Sequence, residues 1–424
     1  MRAMPEVSPF CPLRYAKDRL ADVIAPPYDV VTAADRARLA ARSPHNVVHV
    51  DLPEGEGDLR YANAARILAA WRAEGVLEKD AVPCFLAYEQ TFTLPGGAAQ
   101  TRRGFLALVR LEPFGRGVLA HERTLSGPKV DRLKLFKATR TALSPVFLLY
   151  RDPEGAAWQA AAGASLVEEF ETPDGTLHTL RRVADPDARS RAATVLSAHP
   201  LLVADGHHRY ETALGYAGPP DPADRSAKRW VLAYLSNRDD PGLAVFATHR
   251  LIHSTGRADR ARLRSLLAAH FDVAPGEGDA SALTRALAEA GRRAPSVCAV
   301  WPDGEADLIT LRAAPDHVPA LARRPEVMRR LDVVVLHDAI LEAALGIDAA
   351  ALASQSFVRY PKDAASAVAE IRSGAGEVLF LMNATPVADV ARTCEAGELL
   401  PQKSTYFYPK VPTGLCFFPL EGEI

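Results

Sequence analysis

At 424 residues the chain is long for one compact core, so we expect two lobes. With 48% hydrophobic and 24% charged residues, its composition is that of a globular enzyme. The net charge of −2 gives no overall field that would favour nucleic acid or an anionic membrane. No run of about 18 apolar residues occurs, and residues 1–9 lack the apolar core of a signal peptide. The five cysteines are scattered without a C-x-x-C pair, so we expect a reducing, cytoplasmic location.

The first 120 residues predict a mixture of helices and strands. The clearest element is an amphipathic helix over 58–75, with apolar residues recurring on one stripe. Thr32 followed by Asp35 fits a capping box at the start of an earlier helix. The other predicted elements are an extended proline-rich segment at 25–31, a strand at 47–50, and a hairpin of strands at 85–94 and 104–111.

The segment 119–140 mixes basic, hydroxyl and acidic side chains in a pattern that does not predict a core. His121 and Glu122 end a strand-like run, and residues 126–129 (Ser-Gly-Pro-Lys) form a predicted loop. Loops that follow strand ends are where α/β proteins place their chemistry. The basic residues from 132 to 140 are equally well explained as the solvated face of a helix.

The stretch 201–214 carries the strongest functional signal. An apolar run predicts a buried strand, an Asp-Gly pair predicts a turn, and the residues after it have helical spacing. The first amides of a helix lack internal partners and lie at the positive end of its dipole, which suits a bound phosphate. The alternative is a plain turn capped by Asp205, with both histidines solvated. The residues at this turn are Asp205, Gly206, His207, His208 and Arg209.

The second half of the chain predicts further helices and strands in alternation. We divide the chain into a core lobe over 1–250 that carries both motifs, a second α/β lobe over 251–382, and a C-terminal segment over 383–424 that packs back toward the site. The part of this segment from 400 to 415 fits neither helical nor strand periodicity and combines lysines, hydroxyl groups and tyrosines. It could line a small-molecule pocket or fasten the C-terminal tail to the core.

The commonest nucleotide and hydrolase motifs are absent from the sequence. There is no G-x-x-x-x-G-K-[ST] phosphate loop and no G-x-G-x-x-G after a strand. H-E-x-x-H and G-x-S-x-G are also missing. A catalytic or nucleotide-binding site in this chain must therefore be built from residues outside these common motifs.

Several segments together resemble a large prokaryotic family of unknown function. They are residues 121–129 (HERTLSGPK), 205–210 (DGHHRY) and 401–406 (PQKSTY), with Pro-Pro-Tyr-Asp-Val at 26–30. A His-Glu pair upstream of an Asp-Gly-His-His-Arg turn is also similar to free-serine kinases of the ParB/sulfiredoxin-like superfamily. Those enzymes phosphorylate the hydroxyl of free L-serine with a nucleotide and a divalent metal. The resemblance implies an α/β (mixed α+β) fold, with a ParB/sulfiredoxin-like core, large insertions and a second lobe.

The resemblance also implies roles for individual residues. Glu122 takes the role of catalytic base, His121 beside it is expected to be a second catalytic residue, and the turn 205–209 holds the phosphates. The implied cofactors are ATP or ADP as phosphoryl donor and Mg²⁺. Asp205 could hold this ion through water or orient His207. We expect a nucleotide and a small hydroxyl compound as partners, and neither a membrane nor a nucleic acid. The residues expected to contact the substrate are Thr124, Ser126, Lys129, Arg132, Lys403, Ser404 and Thr405.

Two other classes compete with the kinase hypothesis. A nucleic-acid-binding module would use the basic run from Lys129 to Arg140, although the acidic net charge weakens this hypothesis. A metal-dependent hydrolase would use His199, His207 and His208. Adjacent side chains on a helix point about 100° apart, so the last two would not readily share one metal ion.

Overall fold

The computed structural model describes residues 4–94, 96–122, 127–354 and 356–424. The chain forms two compact units. The first unit comprises Met1–Ala120, Thr124–Ala244 and Pro409–Ile424, and the second comprises His121–Arg123 and Val245–Tyr408. The division into 1–250, 251–382 and 383–424 stays a prediction. No helix in the described part of the chain is both long and apolar enough to cross a lipid bilayer.

Strands and helices alternate irregularly along the chain. The strands are β1 (Val7–Ser8), β2 (Leu13–Tyr15), β3 (Leu77–Lys79), β4 (Phe85–Thr93), β5 (Ala99–Arg110), β6 (Val118–Leu119), β7 (Thr141–Ala142), β8 (Val146–Tyr150), β9 (Ser165–Glu171), β10 (Leu177–Val183), β11 (Leu201–Asp205), β12 (Trp230–Asn237), β13 (Ala244–Phe246), β14 (Arg250–Ile252), β15 (Phe271–Gly276), β16 (Ser296–Val300), β17 (Ala306–Leu311), β18 (Val358–Arg359), β19 (Val378–Met382), β20 (Tyr406–Tyr408) and β21 (Phe418–Pro419). The α-helices are α1 (Leu20–Val23), α2 (Ala33–Arg42), α3 (Val48–Asp51), α4 (Leu59–Ala73), α5 (Gly127–Thr139), α6 (Ala156–Gln159), α7 (Pro186–Leu196), α8 (His207–Ala217), α9 (Arg260–Leu267), α10 (Ala280–Gly291), α11 (Pro319–Ala322), α12 (Asp332–Val334), α13 (Ala349–Ser354), α14 (Ala364–Arg372) and α15 (Val387–Glu395), and a π-helix covers Val335–Ala344.

The first unit is built on a nine-stranded mixed sheet. Its order is β6-β11-β8-β12-β5-β4-β10-β9, and β1 adds to β5. The pairs β6–β11 and β8–β12 are parallel, and the other pairs are antiparallel. Tyr210 on α8 is fully buried in the core of this sheet, and its hydroxyl donates to the carbonyl of Glu112 at 2.8 Å. Burial of such a side chain contributes about 1.5–3 kcal/mol, which fastens the start of α8 to the sheet.

The second unit is built on a six-stranded antiparallel sheet in the order β15-β17-β16-β19-β14-β18. Leu283 and Leu287 on α10, together with Ala367 and Ile371 on α14, pack against its central strands in one apolar cluster. These residues recur at helical spacing, so each helix presents one apolar stripe to the sheet. Both units thus combine helices with sheets, which confirms the mixed α+β class; the ParB/sulfiredoxin-like core stays a prediction.

Most of the strong sequence patterns are confirmed. Thr32 and Asp35 form the capping box of α2, α4 covers most of the range 58–75, and β4 and β5 form the expected hairpin. The strand predicted at 47–50 is wrong, because α3 occupies Val48–Asp51. The Asn46 side chain accepts from the Val48 N–H at 3.0 Å, and its amide donates to the Asp22 carbonyl at 2.8 Å. Asn46, which is held by a carbonyl 24 residues away, therefore binds the first turn of a helix where the apolar residues alone indicate a strand.

Candidate functional site

The Asp-Gly-His-His-Arg segment joins β11 to α8. The strand ends at Asp205 and the helix begins at His207, so the predicted strand-to-helix turn is confirmed. Gly206 has φ 89° and ψ 28°, a left-handed conformation that costs other residues about 1–2 kcal/mol. A Cβ at this position would lie 3.0 Å from Nε of Arg209, so glycine also leaves space for that side chain.

The carboxylate of Asp205 is bound by two cations. Arg209 Nη2 donates to Oδ2 at 2.6 Å, and Lys410 Nζ donates to Oδ1 at 2.5 Å. Burial alone would raise the pKa of Asp205, but the charges of Lys410 and Arg209 outweigh it and hold the pKa well below its usual range. The N-cap position of α8 is Gly206, and His207 is buried. The alternative of a plain turn capped by Asp205, with both histidines solvated, is therefore wrong.

Arg209 is held at both ends of its guanidinium group. Nη1 donates to the carbonyl of Pro145, just before β8, while Nη2 binds Asp205. The side chain therefore has one fixed position beside the first turn of α8. A guanidinium fixed in this way loses little side-chain entropy when it binds an anion.

A cavity of about 40 Å³ in the first unit adjoins this arginine. Arg132 on α5 also lines it, and its Nη1 donates to Oδ1 of Asp51 at 3.0 Å. The Arg132 guanidinium lies 4.3 Å from the centre of the Tyr28 ring. Burial raises the pKa of Asp51, and the charges of Arg132 and Arg209 oppose that shift. Two arginines selected from the sequence therefore lie around the same small cavity.

In the second unit, the loop after Leu400 binds Glu122. The N–H of Lys403 donates to Oε2 at 3.1 Å, and the N–H of Ser404 donates to Oε1 at 2.9 Å. Lys403 has φ 57°, a left-handed conformation that is unfavourable for a residue other than glycine. Two successive amides that converge on one anion form a small anion-binding nest. Backbone amides thus fix the orientation of the Glu122 carboxylate.

Two buried side chains support the same loop. His121 Nε2 lies 2.9 Å from Oγ1 of Thr405. The backbone carbonyl of His121 accepts a hydrogen bond from the Leu400 N–H at 2.8 Å. Arg250 Nη2 donates to the Lys403 carbonyl at 3.0 Å. Burial lowers the pKa of Arg250 to about 10, so the group stays protonated at neutral pH. The loop is therefore held from both sides, by a glutamate at its amides and an arginine at its carbonyl.

The predicted site residues thus separate into two groups. The first unit brings Arg132 together with Arg209, and the second brings His121 and Glu122 together with the segment 403–405. Thr124 and Ser126 lie outside the described residues, and so does the side chain of Lys129. The predicted contacts of these residues with substrate, and the catalytic roles of His121 and Glu122, stay predictions.

Sequence reasoning missed three residues of this arrangement. Tyr28 and Asp51 line the cavity beside Arg132, and Lys410 pairs with Asp205. Tyr28 belongs to the Pro-Pro-Tyr-Asp-Val segment, and Lys410 follows the Pro-Gln-Lys-Ser-Thr-Tyr segment, so both were near a recognised signal. Asp51 carries no such signal, since it only follows the stretch 47–50 that the sequence predicts as a strand.

The structure shows the surroundings of the residues on which the two competing classes depend. In the basic run, Arg132 pairs with Asp51, while Lys134 and Arg140 pair with the acidic residues Asp58 and Glu421. Such pairing reduces the positive field that a nucleic acid would require. His199 is exposed just before β11, and within the described ranges no three His, Cys, Asp or Glu side chains are grouped so that they could hold a metal ion.

Comparison with known proteins places the chain in a family. The family described as protein of unknown function, DUF1015, matches residues 7–334, so the chain belongs to it. No curated protein matches the chain. Among solved structures, a conserved hypothetical protein from Pyrococcus furiosus is 13% identical, with coverage of 73% of this chain and 95% of that chain and a TM-score of 0.38.

Two further solved structures are similar at the same level. A free serine kinase in complex with AMP is 11% identical, with coverage of 73% of this chain and 92% of that chain and a TM-score of 0.39. SbnI with a C-terminal truncation, from Staphylococcus aureus, is 13% identical, with coverage of 74% and 87% and a TM-score of 0.36. Since these TM-scores lie below 0.5, none of these likenesses assigns a reaction or a site to the chain.

Proposed function

We propose that this member of the DUF1015 family transfers a phosphoryl group from a nucleotide to a small molecule, and that the turn 205–209 holds the phosphates. The observation that carries this proposal is the fixed position of Arg209. Its guanidinium is held between Asp205 and the Pro145 carbonyl at the first turn of α8. A fixed guanidinium at a helix start favours a phosphate, and phosphoryl transfer depends mostly on such positioning and charge neutralisation.

The acceptor in this proposal is the hydroxyl of a free amino acid such as L-serine, and Glu122 is its base. This assignment comes from the resemblance of the His-Glu and Asp-Gly-His-His-Arg segments to free-serine kinases. A carboxylate can orient the attacking hydroxyl and accept its proton late in the transfer, which is worth roughly 10²–10⁴-fold. The amide bonds from Lys403 and Ser404 support the role, because they hold the carboxylate in one orientation.

The donor in this proposal is ATP or ADP, with Mg²⁺ bound mainly to the phosphates. Protein sites for Mg²⁺ commonly use only one or two carboxylates and several waters. Both oxygens of Asp205 already accept hydrogen bonds from cationic side chains. Asp205 would therefore hold a magnesium ion through water molecules rather than directly. The ion would neutralise charge on the transferred phosphoryl group.

The test is nucleotide titration by calorimetry beside a phosphoryl-transfer assay on a panel of hydroxyl amino acids. Arg209→Ala should weaken nucleotide binding by about 10- to 150-fold, the equivalent of the 1.5–3 kcal/mol of a charge-assisted hydrogen bond. Arg209→Lys keeps the charge but loses the two-ended anchoring, so it should recover only part of the affinity. Arg312→Ala, which removes an exposed arginine paired with Asp272, is the control and should bind like the wild type.

Glu122→Gln tests the base separately. Nucleotide binding should persist while turnover falls by at least ~100-fold. Because glutamine has a single side-chain oxygen, the N–H of Lys403 or Ser404 loses an acceptor, so thermal stability is measured on the same sample. Wild-type turnover in Glu122→Gln would show that this carboxylate is structural. Wild-type nucleotide affinity in Arg209→Ala would place the phosphate site elsewhere.

A further inference from the structure

Arg102, on β5, places a positive charge inside the core of the first unit. Its side chain is fully buried, which is rare for an arginine. The guanidinium lies 4.6 Å from the centre of the Phe147 ring and 5.4 Å from the centre of the Tyr234 ring. Its Nη2 donates to Oε1 of Gln90, which is also buried. These contacts are with two rings and an amide, and all three groups are neutral.

The stability of the fold does not explain a charge at this position. An ion that leaves water loses more hydration energy than contacts with aromatic rings return. Well-packed apolar residues in place of buried ions are often neutral or stabilising. Burial lowers the pKa of Arg102, but a guanidinium stays protonated at neutral pH. The charge of Arg102 therefore costs folding free energy, and its benefit comes from another role.

Two routes connect Arg102 to Asp205. Phe147, which lies under the guanidinium, pairs with Asp205 in the ladder between β8 and β11. Gln90 donates through Nε2 to the Lys410 carbonyl at 3.1 Å, and Nζ of Lys410 donates to Asp205 at 2.5 Å. The Asp205 carboxylate is also among the groups that oppose the lowering of the pKa of Arg102 by burial. Arg102 is therefore part of the electrostatic surroundings of Asp205.

Three cations share one carboxylate in this network. Arg209 and Lys410 bind the two oxygens of Asp205, and their side chains are 11% and 15% exposed. The charge of Arg102 adds to theirs, while its own ring and amide contacts are neutral. Salt screens such partly buried charges much less than exposed ones. An anion that binds Arg209 therefore enters a positive field, and it gains more from this field the more negative charge it carries.

We propose that Arg102 is a specificity-determining residue of the phosphate site, whose buried charge favours donors with two or three phosphates over monophosphates. The inference rests on the proposed function, since it requires the phosphates to bind at Arg209. Arg102 touches no ligand, because its side chain is fully buried, and it acts through its electric field. At an effective dielectric constant of about 20, two unit charges about 10 Å apart still change an affinity about tenfold.

Calorimetric titration of AMP, ADP and ATP in the absence of divalent metal tests the proposal. Arg102→Gln removes the charge but keeps a donor for Gln90. Its loss of affinity should grow with the charge of the nucleotide, from about threefold for AMP to at least about tenfold for ATP. Arg102→Met is a second neutral variant, which fills the site with an apolar chain, and should show the same graded loss. Arg102→Lys keeps the charge and should hold the affinity for ATP within about threefold of the wild type.

Gln90→Met is the control for a purely structural effect, because it removes two hydrogen bonds of the network and no charge. It should change the affinities for the three nucleotides by similar factors. Equal losses for AMP, ADP and ATP in both neutral variants would overturn the proposal. Wild-type affinities in these variants would also overturn it, as would an equally graded loss in Gln90→Met. Failure of the proposed function is seen separately, as wild-type nucleotide affinity in Arg209→Ala.

Discussion

Asp332 makes the stability of the second unit depend on pH. Its carboxylate accepts from the Ser296 N–H at 3.2 Å and from the Asn383 amide at 2.8 Å. Burial raises its pKa from 3.8 to about 6, and these two hydrogen bonds oppose the shift only in part. Between pH 4 and pH 6, roughly, the folded state therefore holds a proton that the unfolded state has released. It follows that the unfolding free energy falls as the pH rises through this window.

The size of the effect follows from the two pKa values. A displacement from 3.8 to about 6 corresponds to about 3 kcal/mol. The penalty is absent well below the unfolded pKa of 3.8, where Asp332 is protonated in both states, and it is nearly complete by pH 7. Asp332→Asn cannot ionise and keeps an oxygen for the Ser296 N–H. The unfolding free energy of this variant, minus that of the wild type, should therefore rise by about 2.5 kcal/mol from pH 4 to pH 7.

Native-state hydrogen exchange of the amides in β16 and β19 measures this difference. Exchange is preferred to a global transition because the two units need not unfold together. Glu326→Gln, which changes an exposed glutamate in the same unit, is the control and should follow the wild type at every pH. If the unfolding free energies of Asp332→Asn and the wild type differ by the same amount at every pH from 4 to 7, the raised pKa of Asp332 is refuted as the cause.

Two further predictions concern glycine and cysteine positions. Gly206→Ala should lower the unfolding free energy by more than the roughly 1–2 kcal/mol of left-handed backbone strain, because its Cβ also meets Arg209. Gly175→Ala is the control, because Gly175 has φ 79° and a Cβ there would meet nothing within 4 Å, so the variant should lose only the free energy of backbone strain. Equal losses of unfolding free energy in the two variants, measured by urea denaturation, would refute the contact between a Cβ at position 206 and Arg209. A thiol reagent should label Cys11 in the native protein and spare Cys84, since burial raises the pKa of Cys84 to about 12. Peptide mapping measures this labelling, and rapid native modification of Cys84 would contradict it.

The helices, strands and turns that could be predicted from the sequence are those whose local residue pattern agrees with their burial and contacts in the folded protein. The helix α4 has an apolar stripe of helical period, and its buried residues include Tyr61, Leu68 and Trp71. The turn at Gly206 combines an apolar run, an Asp-Gly pair and a helical pattern, and the chain folds accordingly. The failure at 47–50 has a physical cause, since Asn46, which accepts from the Val48 N–H at the start of α3, is itself held by the Asp22 carbonyl 24 residues away.

The candidate site was predictable only in its local part. Asp205 and Arg209 are four residues apart at a helix start, a spacing at which opposite charges commonly pair. Lys410 lies 205 positions from Asp205, and no local pattern marks the partner of a lysine in an irregular segment. The same holds for the backbone amides that bind Glu122, because their direction depends on the left-handed conformation of Lys403.

Arg132 and Arg209, the two arginines that line the cavity of the first unit, differ in the number of N–H groups that they can donate to a phosphate. A guanidinium has five N–H groups. The described bonds of Arg132 use four of them, from Nε and Nη2 to Asp131 and from Nη1 to the carbonyl and Oδ1 of Asp51. The described bonds of Arg209 use two, to Asp205 and the Pro145 carbonyl. Arg132 therefore fastens α5 to the end of α3, whereas Arg209 is both fixed in place and left with N–H groups for a ligand, which is why the phosphate is assigned to Arg209.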